Sequence, residues 1–374
     1  MYSKVLGKLD WVLLIIVPVI IVFGVTAIYS ASGGFDAQSR KFALACVQKQ
    51  IAVGIAGFVL LFLAASLDDN VWPRITKWIY WGSVSLLVFV DFAGRHTKGA
   101  QRWIDIGPIQ LQPSEPAKIA LIITLSVYLL AHYDEIRELR TFLLSLLHIS
   151  VPLLLVFKQP DLGTSLVMGA IWLGVVLAAG VQWKHVFGLM AVGAVMAVVV
   201  WNVGILKEYQ KQRVITLINP EADPQRTGYH VRQAKIAIGA GEITGTGYGK
   251  GSQTQLDFIP EQWTDFIFTE VGEEMGFAGS AALLLLYWML IARVIYIMQS
   301  TEERLGRMIS GGVLAVLLFH VFVNVGMTMG IMPVAGVPLP FFSYGPSNLL
   351  SMLTAMGLVM GVYTRRHRIA FGHQ

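Results

Sequence analysis

Four carboxylates crowd the stretch DFIPEQWTDFIFTEVGEEMGF, residues 257–277, where a polar segment becomes apolar. They are Asp265, Glu270, Glu273 and Glu274. The three glutamates have the spacing i, i+3, i+4, so on a helix they share one face. Three carboxylates facing lipid would be very unfavourable, so this face should meet other helices, a cation or water. Asp265 lies on the polar side of the boundary, apart from the three glutamates.

A simpler interpretation of Asp265 is a helix cap. Thr264 or Asp265 could cap the helix that follows, where the helix dipole stabilises a carboxylate. The dipole lowers the pKa of a carboxyl group, whereas a general base benefits from a raised pKa. Burial next to Trp263 and Phe266 would act against the dipole. A single cap does not explain all four carboxylates.

A second polar segment is KGAQRWIDIGPIQLQPSEPAKIAL, residues 98–121. Ser114 is predicted to cap a helix, with Glu115 and Lys118 three residues apart on one face. This pair either lets two charges enter the membrane edge together or contacts substrate directly. Arg102 and its neighbour Trp103 are typical of an interfacial anchor, and Arg102 could equally hold an anionic headgroup.

Two further polar sites have simple structural interpretations. In FKQPDLGTS, residues 157–165, Asp161 is predicted to cap a helix after a tight turn. Arg213 belongs to a basic cluster in a loop, where charges are usually solvated.

The positioning elements are predicted to be membrane helices. Of 374 residues, 55% are hydrophobic and 14% charged, against about 25% charged in soluble domains. The sequence therefore predicts an all-α, polytopic membrane protein in which 1–374 form a single domain with about ten transmembrane helices. The predicted spans lie near residues 11–31, 43–66, 73–93, 114–132, 141–157, 162–180, 185–203, 267–297, 306–330 and 345–364.

The loops are predicted to differ between the two sides of the membrane. Short loops and tails on the terminus side hold about twice as many basic residues, which places both termini in the cytoplasm. The segment 204–266 between helices 7 and 8 is then a long external loop. The apolar Pro/Gly segment 333–346, between helices 9 and 10, is predicted to form a re-entrant hairpin near the external mouth. An apolar wall beside a charged cleft suits a substrate with a lipid tail and a polar head.

Several motifs resemble the SEDS proteins (shape, elongation, division and sporulation) over nearly the whole chain. The similarity is carried by RWIDIGPIQLQPSEPAK, KQPDLGTS, GYHVRQAKIAIGAG, LDFIPEQWTDFIFTEVGEEMGF and GIMPVAGVPLPFFSYG. The motifs GIMPVAGVPLP and KIAIGAG resemble the elongation branch of the family more than the division branch. SYGPSN departs from the family pattern at Pro346 and Asn348, which leaves the roles of Ser343 and Ser347 open.

The resemblance implies a peptidoglycan glycosyltransferase that polymerises lipid II outside the bacterial cytoplasmic (inner) membrane. It places the essential aspartate at Asp265 and implies a class B penicillin-binding protein as partner, within a larger elongation complex and without nucleic acid. The departing diphosphate needs positive charge, for which a divalent cation, Mg²⁺ or Mn²⁺, could share the task without a clear metal motif. Candidate substrate or diphosphate ligands are Arg102, Lys118, Arg213, Lys49, Gln112 and Ser114. Candidate supporting residues are Glu115, Trp103, Asp161, Glu270, Glu273 and Glu274.

Three other functions remain open from the sequence. The chain could be a flippase for the same lipid, in which case polar residues within the spans would mark a translocation path. It could be a division-type member with the same activity, or a scaffold for the cross-linking enzyme. The polar residues gather on one side without an obvious inverted repeat, which favours the glycosyltransferase over the flippase.

Overall fold

The computed structural model describes residues 9–97, 100–106, 109–203, 211, 215, 227–256, 258–259 and 262–369. In chain order its elements are α1 (Trp11–Ala31), α2 (Arg40–Ser66), α3 (Val71–Ala93), β1 (Arg95–Thr97), β2 (Ala100–Ile106), β3 (Ile109–Leu111), α4 (Ser114–Ala131), a 3₁₀ turn (Tyr133–Glu135), α5 (Leu139–Lys158), α6 (Leu162–Ala179), α7 (Trp183–Val203), α8 (Thr227–Ala240), α9 (Ser252–Gln255), α10 (Ile267–Glu274), α11 (Gly276–Ser300), α12 (Arg304–Thr328) and α13 (Pro346–Ile369).

Ten of these helices are long and apolar enough to cross a membrane, counting the described residues alone. They are all the α-helices except α8, α9 and α10. The prediction of a polytopic helical membrane protein with ten spans is confirmed. An even number of spans brings both ends of the bundle to one side.

Helices α4, α12 and α13 form the centre of the bundle. In the membrane-spanning parts of α4 and α13, 78% of the residues are buried inside the protein, against 6% in α7. Helix α2 packs along α13, and α6 packs along α12. At the α6–α12 contact, a Cβ added to Gly174 would lie only 2.6 Å from the main-chain oxygen of Gly311. Small residues allow this close approach, as is usual between membrane helices.

A small antiparallel sheet of order β1-β2-β3 fills the connection between α3 and α4. Ile104 pairs with Leu111 and Ile106 with Ile109, so β2 and β3 form a tight hairpin. From the sequence this segment is expected to be a loop without strands. β1 and β3 have only three residues each, which carry too little alternation to be recognised in a sequence.

The predicted eighth span, 267–297, is not one helix. The short helix α10 ends before Met275, and α11 begins at Gly276, whose φ of 62° is in the left-handed region. A Cβ at Gly276 would lie 2.4 Å from the main-chain nitrogen of Gly245, so only glycine fits without displacement. The prediction of a continuous span was wrong because this break depends on a distant loop packed against it.

The glycine-rich loop 241–251 completes the hydrogen bonding at this break. The main-chain nitrogens of Thr246 and Gly247 donate to the oxygens of Glu273 and Glu274, at 3.0 and 3.1 Å. The last carbonyls of a helix lack partners within the helix, so this loop replaces the missing turn. Gly241 and Gly245 allow this close approach, because a Cβ added to either would lie about 2 Å from a main-chain oxygen of α10.

Candidate active site

Asp265 lies in a turn directly before α10, and its side chain is half-buried. Its main-chain oxygen accepts a hydrogen bond of 2.8 Å from Asn324 Nδ2 on α12. The same amide nitrogen donates at 2.8 Å to the main-chain oxygen of Val337. Asn324 is fully buried, so one side chain fixes the turn that carries Asp265 to the segment 331–345. Neither Thr264 nor Asp265 is the cap of α10, because the N-cap residue is Phe266 and it makes no side-chain cap hydrogen bond.

The Pro/Gly-rich segment 331–345 passes directly beside the Asp265 carboxyl. Gly336 has a φ of 66°, and a Cβ added there would lie 3.4 Å from Asp265 Oδ2. The main-chain nitrogen of Tyr344 donates to the oxygen of Trp263 at 2.9 Å. The structure therefore brings together the carboxyl and the apolar segment that the sequence analysis placed at one mouth.

Lys118 and Glu115 form a buried ion pair with a distance of 3.0 Å between Nζ and Oε1. Lys118 Nζ also lies 3.4 Å from His320 Nε2, and His320 Nδ1 lies 2.9 Å from the main-chain oxygen of Pro338. A carbonyl can only accept, so Nδ1 carries the proton and Nε2 faces the ammonium as an acceptor. Asn348 Nδ2 donates to Glu115 Oε2 at 3.3 Å. Lys118 is 1% exposed, so this geometry supports the structural-pair interpretation over direct substrate contact.

Arg102, Gln112 and Asp161 join the small sheet to the start of α6. Arg102 Nε donates to the main-chain oxygen of Gln159 at 2.8 Å, and its Nη2 donates to that of Pro160. Arg102 Nη1 also lies 3.4 Å from Asp161 Oδ2, to which Gln112 Nε2 donates at 3.3 Å. The side chain of Arg102 remains 28% exposed, so it can still meet an anion while serving this structural role.

Asp161 caps α6 as the sequence predicted, because its Oδ1 accepts from the main-chain nitrogen of Thr164 at 3.1 Å. Ser114 is not the cap of α4. It is the first helical residue, and Pro113 precedes it with a φ of −58° that already suits a helix. The Ser114 hydroxyl is buried and has no hydrogen-bond partner within the described part of the chain.

The remaining candidates are less closely connected. Lys49 is half-buried on α2, next to Gln50, whose Nε2 donates to the main-chain oxygen of Ser343 at 3.1 Å. Trp103 is half-buried on β2, opposite Arg95 in the sheet. Arg213 lies outside the described residues.

The three glutamates of α10 are all buried, but each has different surroundings. Glu273 accepts from the main-chain nitrogens of Gln253 and Thr254, at 2.8 and 2.9 Å, and so caps α9. Glu274 Oε1 accepts from the Ser30 hydroxyl at 2.6 Å. Neither carboxylate oxygen of Glu270 has a hydrogen-bond partner of good geometry among the described residues.

Asn324 is the positioning residue that the sequence analysis missed. A single amide within an apolar helix was a usable signal, because a polar side chain at membrane depth is unfavourable unless it is bonded. Between Arg307 and Arg365 the sequence has no Asp, Glu, Lys or Arg, and His320 is its single histidine, but nothing in the sequence paired His320 with Lys118.

Residues 10–368 match the family model described as a cell cycle protein of the FtsW, RodA and SpoVE type. The chain belongs to this family. It is 39% identical to the peptidoglycan glycosyltransferase MrdB of Escherichia coli K12 over 363 residues, which cover 97% of this chain and 95% of MrdB. It is 32% identical to the peptidoglycan glycosyltransferase RodA of Treponema pallidum, covering 96% of this chain and 98% of that protein.

Solved structures of this family share the fold. One chain of a peptidoglycan synthase complex, in which polymerisation and crosslinking are coordinated, matches with a TM-score of 0.81 and 31% identity. That match covers 96% of this chain and 99% of the other. The rod shape determining protein RodA of Thermus thermophilus matches with a TM-score of 0.69 and 27% identity, covering 96% of this chain and 98% of RodA.

The departure SYGPSN from the FtsW/RodA/SpoVE pattern does not disturb this region. Pro346 is the first residue of α13, a position where a fixed φ and a missing N–H are tolerated. The Ser343 hydroxyl accepts from the main-chain nitrogen of Leu339 at 2.8 Å. The Ser347 hydroxyl donates to the main-chain oxygen of Gln110 at 2.8 Å. Both serines therefore hold backbone in place.

Proposed function

We propose that this chain is a peptidoglycan glycosyltransferase that joins lipid II units into glycan strands, with Asp265 as the general base. The observation that carries this proposal is the half-buried Asp265 carboxyl beside Gly336, on a turn that Asn324 fixes to an apolar wall. The relatives named peptidoglycan glycosyltransferases match the chain over nearly its full length, which supports the same activity here.

The reaction needs a base because a sugar hydroxyl is a weak nucleophile near neutral pH. The 4-hydroxyl oxygen of the incoming sugar attacks the anomeric carbon of the growing strand and passes its proton to Asp265. The bond from that carbon to undecaprenyl diphosphate breaks with inversion, and the diphosphate leaves with the electron pair. A single carboxylate is enough for such a displacement, by analogy with inverting glycosidases.

Positive charge must compensate the departing diphosphate. Arg102 and Lys49 are the best-placed candidates, because both retain exposed surface. Arg213 stays a prediction from the sequence, and Lys118 would act only indirectly, through Glu115. A Mg²⁺ or Mn²⁺ ion could also serve. Among the described residues, no group of three or more His, Cys, Asp or Glu side chains is arranged to hold a metal ion, so such an ion would take most ligands from the diphosphate and water.

We place both termini in the cytoplasm and the Asp265 site on the external face of the bacterial cytoplasmic membrane, following the distribution of basic loop residues. We propose a class B penicillin-binding protein as partner, within an elongation complex, because one structural relative belongs to a complex that coordinates polymerisation and crosslinking. A role in cell elongation and rod shape is supported by the match to a rod shape determining protein.

The test is polymerisation by the purified chain and its partner in detergent, with lipid II as the only glycan source. Detergent removes the two compartments that a flippase needs, so glycan polymer formed here reports polymerisation alone. We expect polymer with the wild type and none above background with Asp265→Ala. No polymer from an intact complex, together with lipid II transfer across vesicles, would instead identify a flippase.

A further inference from the structure

His320 on α12 is a buried titratable side chain that the proposed reaction does not use directly. It is 1% exposed, and its two ring nitrogens have different partners. Nδ1 lies 2.9 Å from the main-chain oxygen of Pro338, and Nε2 lies 3.4 Å from Lys118 Nζ. A carbonyl oxygen can only accept and an ammonium group can only donate, so Nδ1 donates and Nε2 accepts. The imidazole ring is therefore fixed in orientation at both nitrogens.

The bond to Pro338 anchors the segment 331–345 to α12. The backbone of this segment is irregular up to Leu339, so its buried carbonyls depend on donors from other elements. Asn324 supplies the donor for the oxygen of Val337, and His320 supplies the donor for the oxygen of Pro338. His320 and Asn324 are four residues apart on α12, so they share one face of the helix. Two successive carbonyls of the segment are thus fixed to a single helix face.

This face of α12 also sets the distance between the segment and the Asp265 carboxyl. The amide of Asn324 bonds the main-chain oxygen of Asp265 as well as that of Val337. Gly336 directly precedes the two anchored carbonyls, and a Cβ added to it would lie 3.4 Å from Asp265 Oδ2. A buried carbonyl that loses its donor is destabilised, so the backbone shifts toward another partner where it can. Loss of the donor at Pro338 should therefore displace Gly336 relative to the Asp265 carboxyl.

The other nitrogen of His320 is fixed by the ion pair on α4. Lys118 Nζ lies 3.0 Å from Glu115 Oε1, and both side chains are buried. A protonated imidazole would place a second positive charge 3.4 Å from the Lys118 ammonium and would offer it no acceptor, so the contact requires a neutral ring. The orientation of His320 thus depends on α4 and α12, two helices at the centre of the bundle.

We propose that His320 is a positioning residue for the reaction at Asp265 and acts through the main-chain oxygen of Pro338. This inference rests on the proposed glycosyltransferase activity. The buried, neutral ring neither contacts the substrate nor accepts its proton. Its Nδ1–H holds the segment 331–345 so that Gly336 borders the base and leaves space for the incoming sugar hydroxyl. Loss of this hydrogen bond lowers the rate of glycan bond formation, whereas binding of lipid II is retained.

Two amide variants separate the roles of the two ring nitrogens. The amide nitrogen of asparagine is as many bonds from the backbone as Nδ1, so His320→Asn keeps a donor for Pro338 and loses the acceptor for Lys118. The amide oxygen of glutamine is as many bonds from the backbone as Nε2, so His320→Gln keeps the acceptor for Lys118 and loses the donor for Pro338. Each variant loses one of the two hydrogen bonds, so we expect similar decreases in Tm.

The experiment measures the single-turnover rate of glycan bond formation by the full chain with its partner in detergent, over a range of lipid II concentrations. A misplacement of about 1 Å costs roughly 10²-fold, so at saturation His320→Gln should be slower by at least about tenfold, and His320→Asn should stay within about threefold of the wild type. The lipid II concentration that gives half of the maximal rate should not change. Ser145→Ala is the matched control, because it removes a buried hydrogen bond of 3.0 Å from Trp172 Nε1 between α5 and α6. It should lower Tm without lowering the rate.

His320→Met covers the case in which His320→Gln fails to fold. It removes both hydrogen bonds, fills the space with a flexible apolar side chain and should be as slow as His320→Gln.

Three results would overturn the proposal while the wild type remains active. A rate for His320→Gln or His320→Met equal to that of the wild type would show that the segment does not need this donor. A loss in His320→Asn as large as that in His320→Gln would assign the effect to the contact with Lys118 or to the ring itself. Parallel losses of rate and Tm in every variant, including Ser145→Ala, would leave His320 a purely structural role. A wild type that makes no polymer would instead refute the proposed function, and this inference with it, so the two failures are distinguishable.

Discussion

Gly336→Ala perturbs the surroundings of the Asp265 carboxyl without changing any polar group. The new methyl would lie 3.4 Å from Asp265 Oδ2, on the side where the apolar segment passes. An acceptor hydroxyl must approach the base to within roughly 2.6–3.2 Å, so the methyl competes for this space. A displacement of about 1 Å reduces an enzymatic rate by roughly 10²-fold. Because φ is 66°, the substitution also strains the backbone by about 1–2 kcal/mol.

Gly180→Ala separates the two effects. Gly180 has a φ of 89°, and nothing lies within 4 Å of an added Cβ. Both variants should therefore lose a similar free energy of unfolding, about 1–2 kcal/mol, because of the left-handed strain. In the polymerisation assay with lipid II, only Gly336→Ala should fall, by about 10²-fold. Equal and undiminished rates for both variants would refute the placement of the reaction at Asp265.

Three further predictions concern stability, measured by thermal unfolding in detergent. Lys118→Met should lower the free energy of unfolding by about 3–5 kcal/mol, because it leaves Glu115 buried without a cation. Adding Glu115→Gln to this variant should restore part of the lost stability, whereas additive losses would contradict a coupled pair. Arg102→Lys should lower the free energy of unfolding by about 1.5–3 kcal/mol, because an ammonium group cannot make the planar set of hydrogen bonds that the guanidinium makes to the carbonyls of Gln159 and Pro160. An unchanged stability would limit Arg102 to ligand binding. Burial, followed by the neighbouring Asp69 carboxyl, raises the pKa of Glu303 from 4.5 to about 7, so its ionised form is disfavoured in the folded state. The contribution of Glu303 to stability should fall as pH rises from 4.5 to about 7, and above that range Glu303→Gln should be more stable than the wild type. A difference in unfolding free energy between the two proteins that does not change with pH would contradict the raised pKa.

The helical bundle could be predicted from the sequence because each membrane span is one continuous apolar stretch of the chain. A helix that crosses the bilayer needs about 20 apolar residues in succession, so each span is visible in its own window. The cap at Asp161 and the pair Glu115–Lys118 were also visible, because capping and i, i+3 contacts depend on neighbours in the chain.

Features that depend on distant contacts could not be predicted in the same way. The break at Gly276 is held by the distant loop 241–251, and no pattern in the local sequence shows where the helix must stop. The hydrogen bonds from Asn324 join residues 59 and 13 positions away, and no local pattern connects them. Asp265 could be singled out from the sequence through its family motif, but the contacts that fix its turn are visible only in three dimensions.

The turn that carries Asp265 is fixed through its backbone and not through its carboxyl group. Asn324 bonds the main-chain oxygen of residue 265, so a change of the carboxyl group leaves that bond in place. Asp265→Asn should therefore fold as the wild type does, and a loss of activity can be assigned to the carboxylate itself.

The most direct test is the single-turnover rate of glycan bond formation by Asp265→Asn in complex with the partner, at saturating lipid II. General-base catalysis by Asp265 predicts a rate lower by about 10²–10⁴-fold, with unchanged Tm and unchanged lipid II binding. Asp265→Glu, which keeps a carboxylate at a displaced position, should retain more activity than Asp265→Asn. A rate for Asp265→Asn equal to that of the wild type would contradict the central claim that this carboxylate is the base.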